Sequence, residues 1–233
     1  MKLLLLLFFI LMGYTDLSAQ DSTYVTIKSG TRVEEVLTSD DIYHYPQFIK
    51  GEVFFKGGTR AAAKMNYSRL FDQMLFIDYK GDTLALAEEK TIKFIAVDQD
   101  TFYYDEGYVR IVADNEFVKL AEKQVWVVAN IRKTGTHNSS TSTAGITSVS
   151  TFRHGNDAIR NPLTLNEDIV LRKETQVYFG DEYDHFARAG KKGILRLFHK
   201  KQRSIESYLK ENKVNFDKKD DLEKLYEFLC SLY

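Results

Sequence analysis

The chain has 233 residues, of which 44% are apolar and 28% charged, with two Pro and one Cys. That apolar fraction and a formal net charge of −1 exclude a disordered chain, and the single Cys excludes an intrachain disulfide scaffold or a Cys-rich zinc site. The balance of 32 basic against 33 acidic side chains excludes a globally basic nucleic-acid binder.

Met1-Lys2 is a minimal positive start, Leu3 to Met12 is an unbroken apolar run, and Ser18-Ala19 is a small-residue exit. This order predicts a signal peptide over 1–19, cleaved near Ala19, and a periplasmic or secreted mature protein. The run is short for a bilayer span, which takes about 20 residues; an uncleaved anchor is the other reading. No Cys follows the run, so a lipid anchor is not expected. Cys230 lies beside Leu229 and close to Leu232 and reads as an inert buried helix position, with an intermolecular disulfide as its alternative.

The mature chain opens with a β-rich region over 20–180. Strands are predicted at Phe48–Lys56, Thr59–Tyr67, Gln73–Tyr79, Thr83–Ala87, Thr91–Val97, Thr101–Asp105, Tyr108–Ala113, Glu116–Leu120 and Gln124–Ile131. Gly57-Gly58 and Gly81-Asp82 are hairpin turns between them. Turn signals every 8–12 residues predict an antiparallel meander, barrel or sandwich-like, rather than βαβ units. Met74–Ile77 and Val125–Val128 are apolar on both faces and should be central.

Residues 134–151 then hold eleven Ser or Thr and no charge, within a predicted loop at 134–157 that reads as a hairpin loop or inter-lobe linker, with a binding loop or lid as the alternative. Residues 146–152 retain the option of an extended edge. Asp168–Arg172 and Thr175–Phe179 read as a second pair of strands. From 181 to 233 the chain is predicted as a helical region packed on the sheet: one helix over Lys191–Asn212, and a second capped by Asp217 with Leu222, Leu225 and Leu229 on its apolar stripe. The fold class is therefore α+β, mainly β, with a C-terminal helical hairpin.

No P-loop, G-x-G-x-x-G, G-x-S-x-G or H-E-x-x-H pattern occurs. The densest polar cluster is Asp181, Asp184 and His185, with Glu182 and Tyr183 between them; it suits a metal ion or acid–base work, although such runs are more often solvated turns. His154-Gly155-Asn156-Asp157 is turn chemistry. His44, His137 and His199 have no sequence neighbour to act with. Asn66-Tyr67-Ser68 and Asn138-Ser139-Ser140 fit the glycosylation pattern, which carries meaning only outside bacteria.

Charge is unevenly distributed. Residues 20–120 carry 12 basic and 17 acidic groups, and residues 121–233 carry 19 and 15. Within 186–203 there are seven basic residues and no acid. Arg188, Lys192, Arg196, Lys200 and Arg203 are the candidate binding residues of a basic amphipathic segment. It is either a solvated face neutralised by the acidic half or a docking face for an acidic partner or anionic envelope surface.

Four segments carry a family resemblance: Gly51–Thr59 (GEVFFKGGT), Asp72–Asp78 (DQMLFID), Gly81–Ala87 (GDTLALA) and Asp100–Asp105 (DTFYYD). With the tail Ser207–Asp217 (SYLKENKVNFD), the chain resembles secreted β-rich proteins of the Bacteroidota type. The resemblance implies export, a β body and a helical end, and carries no activity or site residue.

The expectation is an exported, non-catalytic binding or structural module of the cell envelope, meeting a protein or envelope component, with peripheral membrane contact possible and neither nucleic acid nor cofactor. The alternatives are a small-molecule or lipid carrier with an apolar barrel cavity and, third, a hydrolase built on the Asp/His cluster. An integral outer-membrane barrel is disfavoured, because the predicted strands are shorter than the 9–11 residues a bilayer takes.

Overall fold

A computed structural model describes residues 23–132, 147–148 and 168–233. The predicted signal peptide, His137, Asn138, the 154–157 turn and all of the Ser/Thr-rich loop except Thr147–Ser148 lie outside the described residues.

The turn chemistry places the first hairpins as read. β2 (Ile49–Phe55) and β3 (Arg60–Ser68) meet across Gly57-Gly58, where Phe55 N donates to Thr59 O at 2.9 Å and Gly58 takes φ 85°. β4 (Gln73–Ile77), β5 (Thr83–Ala85), β6 (Ile92–Val97), β7 (Asp100–Tyr104) and β8 (Tyr108–Asp114) follow. Then come β9 (Val118–Arg132), β10 (Thr147–Ser148), β11 (Asp168–Asp181) and β12 (Phe186–Arg188), while β1 (Tyr24–Ile27) precedes them all. The order is β1-β11-β9-β8-β7-β6-β2-β3-β4-β5, with β10 on β9 and β12 on β11. Neighbours along this path pair antiparallel, and helices follow the strands, as expected.

The closed-barrel form of the expectation needs correction: the described strands belong to one antiparallel sheet, and it is not closed. It does curl. Four strands separate β3 from β9, yet Trp126 N of β9 donates to Arg69 O just beyond β3 at 3.1 Å. Lys123 Nζ of β9 likewise reaches Asp72 Oδ2 in the β3–β4 turn at 2.8 Å. Side chains from non-neighbouring strands can meet only inside such a curl. There the Tyr67 ring lies 5.8 Å from Phe102 and 6.4 Å from Tyr108, packed with Val53, Met65 and Ile95.

Two sequence boundaries dissolve. Glu116–Leu120 and Gln124–Ile131 are one strand, β9, and the predicted pair at 168–179 is also one strand, β11. The charged residues that looked like breaks have partners remote in sequence. Glu122 pairs with Arg110, Lys123 with Asp72, and Glu174 with Arg188. The β9–β11 register shifts by one residue between Val170 and Leu171, as at a β-bulge.

The segment before β2, which the sequence reading passed over, forms α1 (Val33–Val36) and α2 (Ser39–Ile42). Thr38 and Asp41 cap α2 reciprocally. Val33, Leu37 and Ile42 bury against Ile27, Trp126 and Leu171, and the Trp126 indole donates to Asp41 O at 3.0 Å. Asn66, one of the two glycosylation candidates, is fully buried; its amide exchanges hydrogen bonds with the Tyr45 backbone at 2.8 and 3.0 Å.

At the C-terminus the single predicted helix is three pieces: α3 (Lys191–Leu197), a 3₁₀ turn at His199–Lys201 and α4 (Gln202–Glu211). The break at Phe198 (φ −105°, ψ 44°) re-aims the chain so that Ile194, Phe198, Ile205 and Leu209 all enter one core. That core joins the Val118, Leu120 and Phe179 side chains of the sheet to Leu222, Leu225 and Leu229 of α5 (Lys219–Cys230). Tyr208 of α4 stacks on Phe228 of α5 with centroids 3.9 Å apart, which secures the expected helical hairpin. Asp217 does not cap α5. The cap position is Lys218, and it is Asp221 that accepts a hydrogen bond, from Asn215 N at 2.9 Å. Cys230 is free and half-buried. Among the described residues no helix is long and apolar enough to cross a membrane.

Leu225 is wholly buried where helices and sheet meet. Leu225→Ala is expected to cost about 2–5 kcal/mol in urea unfolding. A loss under about 1 kcal/mol would mean the helical end is not part of the cooperative core.

Candidate functional site

β11 ends at Asp181 and returns as β12 through a tight turn, with Asp184 in the left-handed region at φ 63°. Asp181 holds this turn: Oδ1 accepts from Tyr183 N at 2.9 Å and His185 N at 3.0 Å, and Oδ2 lies 3.2 Å from His185 Nδ1. Gly180 lies opposite Phe186 in the register, and a Cβ there would come within 2.6 Å of the Phe186 ring. The glycine therefore leaves room for that ring against β11. Asp105 of the β7–β8 turn accepts from Phe186 N at 2.7 Å and ties a third element to the same place.

These turns form one side of a cleft of about 520 Å³. Asp105, Glu106, Asp181 and Glu182 bring acid to it, with Tyr183 and His185 beside them. The end of α3 and the following turn, Arg196 to Lys200, line it as well. Phe117 and the terminal residue Tyr233 complete it, their rings stacked 4.9 Å apart and only 7° from parallel. Lys201 Nζ sits 5.0 Å from the Tyr233 ring centroid. Burial first, then the carboxylates of Glu182 and Asp181, raises the Tyr233 phenol above its ordinary value.

The cleft thus joins parts of both sequence candidates. Asp181 and His185 from the acidic cluster, and Arg196 and Lys200 from the basic segment, line it together. Asp184 does not, because it faces Lys119 Nζ at 3.1 Å. Burial, then the Asp184 and Asp114 carboxylates, pushes the neighbouring Tyr103 phenol up to about 12. Arg188 is spent on Glu174, while Lys192 and Arg203 are exposed and lie outside the cleft. Asp181, Asp184 and His185 do not converge as ligands; among the described residues no group of three or more His, Cys, Asp or Glu is placed to hold a metal ion. The described lining pairs His185 with Asp181 but places no Ser, Thr or Cys beside them.

A second polar cluster escaped the sequence reading. His44, which has no neighbour to act with in sequence, lies 3.2 Å from Asp100 Oδ2 through Nε2 and 3.2 Å from Arg69 through Nδ1. Tyr45 OH donates to Asp100 at 2.7 Å, and Arg110 bridges Asp100, at 2.8 Å, to Glu122. The only local signal was the His44-Tyr45 step before a strand, since the partners lie 25 to 56 residues away. This cluster clasps the curl from α2 to β9.

With this geometry in view, the chain matches no protein-family model, no curated protein and no solved structure. No catalytic family or motif is therefore found.

The clasp makes stability depend on pH. Burial holds His44 below its ordinary 6.5, so unfolding takes up a proton there, and its contribution falls as pH drops below 6.5. For Asp100, burial raises the pKa, but hydrogen bonds from Tyr45 and Arg110 outweigh it and hold the carboxyl below 3.8. Its contribution is therefore present above 3.8 and lost below. Denaturation midpoints should decline in these two stages on acidification, and His44→Gln should remove the first stage alone. An unchanged first stage in that variant would contradict the assignment.

Proposed function

We propose that the chain is an exported, non-catalytic binding module of the bacterial cell envelope that receives its partner in the cleft between the 181–185 turn and Arg196–Lys200. The observation that carries this reading is the cleft itself. It is large enough for a small ligand or the tip of a larger one, and its aromatic and charged groups are held by backbone hydrogen bonds and by the helical core. Export rests on the predicted signal peptide over 1–19.

The carrier alternative loses its main support, because the inside of the curl is filled by Tyr67, Phe102, Tyr108 and their apolar neighbours. The hydrolase alternative has an oriented His185–Asp181 pair but no hydroxyl or thiol beside it among the described lining residues, other than the tyrosine phenols.

A photo-crosslinking residue at position 200 in native cells is expected to give a discrete envelope adduct that Arg196→Glu abolishes. The same probe at Tyr79, a 92% exposed turn residue away from the cleft, should give none. Equal labelling from both positions, or a protein retained in the cytoplasm with residues 1–19 attached, would overturn the reading.

A further inference from the structure

The charges of the cleft are not neutralised by one another. Among the described residues, Arg196 and Lys200 on one side, and Glu106 and Glu182 on the other, form no ion pair. Opposite charges lining one cleft attract, yet none of these four lies within ion-pair distance of another described residue, so both signs are left to a ligand. A purely anionic ligand would be drawn to one side and repelled by the other, and a purely apolar ligand would strip water from both. A ligand carrying a carboxylate at one end and an ammonium at the other complements both.

The dimensions choose among such ligands. A space of 520 Å³ taken as a sphere is about 10 Å across, the reach of about three extended residues. Phe117 and Tyr233 offer ring surface for the peptide's apolar atoms, with the Glu182 carboxylate and the Lys201 ammonium both near the Tyr233 ring. We propose that the cleft binds a short zwitterionic peptide, its carboxylate held by Arg196 and Lys200 and its ammonium by Glu106 and Glu182. This rests on the binding-module reading and names the ligand class of that site.

The test uses the whole mature protein and three probes: tri-alanine with free ends, its N-acetyl form and its C-terminal amide. Calorimetry is expected to show binding of the free-ended peptide, weakened about tenfold or more by capping either end, since each cap removes a charge-assisted contact. The double variant Arg196→Ala, Lys200→Ala should bind the acid and the amide alike while still preferring the free amine. Glu106→Gln with Glu182→Gln should show the converse. These four side chains lie outside the buried core, so circular dichroism and the urea midpoint should be unchanged.

Equal binding of all three probes, no binding of the free-ended one, or variants that keep both end preferences would overturn the inference. The broader reading fails separately: position-200 adducts in cells with no peptide binding would leave a binding module whose ligand is not zwitterionic, whereas loss of both would remove the site.

Discussion

The antiparallel pairing of β9 with β11 is the constraint on which the rest of the structure depends. Fourteen residues of β11, from Asp168 to Asp181, pair with β9 between Arg132 and Val118. A strand's side chains alternate between faces, so this register decides which residues each end of the ribbon presents. At one end Trp126, Val128, Ile169 and Leu171 receive the N-terminal helices. At the other, Val118, Leu120 and Phe179 receive the C-terminal ones. A slip of one residue would turn these sets to the wrong faces and leave both helical layers without a core.

The cleft is a consequence of where that ribbon stops. β11 turns back at Asp181, the β8–β9 connection supplies Phe117, and the helices packed on the ribbon's end supply Arg196, Lys200 and Tyr233. Each side of the cleft is thus anchored by a different kind of force. Backbone and carboxylate hydrogen bonds fix the acidic turns, and apolar burial of Ile194 and Phe198 fixes the basic segment between them. The curl of the sheet toward β3 is held by the His44–Asp100–Arg110 clasp and by Lys123 on Asp72.

What could be read from the sequence was whatever local chemistry decides. Gly57-Gly58 marks a hairpin because of backbone freedom, and the Leu222, Leu225, Leu229 stripe marks a helix because of its period. What could not be read was decided by partners far along the chain. Ala121–Lys123 and Lys173–Glu174 fell between predicted strands; Arg110, Asp72 and Arg188, which pair with Glu122, Lys123 and Glu174 across strands, meet them only after folding. The break at Phe198 was hidden for the same reason, since the stripe over 191–212 is helical in period and only the core shows that it must bend. Half of the cleft was visible as two separate charge clusters. Their meeting was not, because it depends on where β11 ends relative to α3. Asp105 and Phe117 carried no signal for a site beyond their places in two predicted strands.

Native-state hydrogen exchange, read residue by residue, tests the primacy of the β9–β11 ribbon most directly. If it organises the fold, amides paired between 119–126 and 173–180 exchange only through global unfolding, with the free energy obtained from denaturant. Those of the β4–β5 edge should open at lower free energy, without unfolding the ribbon. Ribbon amides that exchange as readily as those of β5, under conditions where β2–β6 remain protected, would contradict the account and place the organising core in the other half of the sheet.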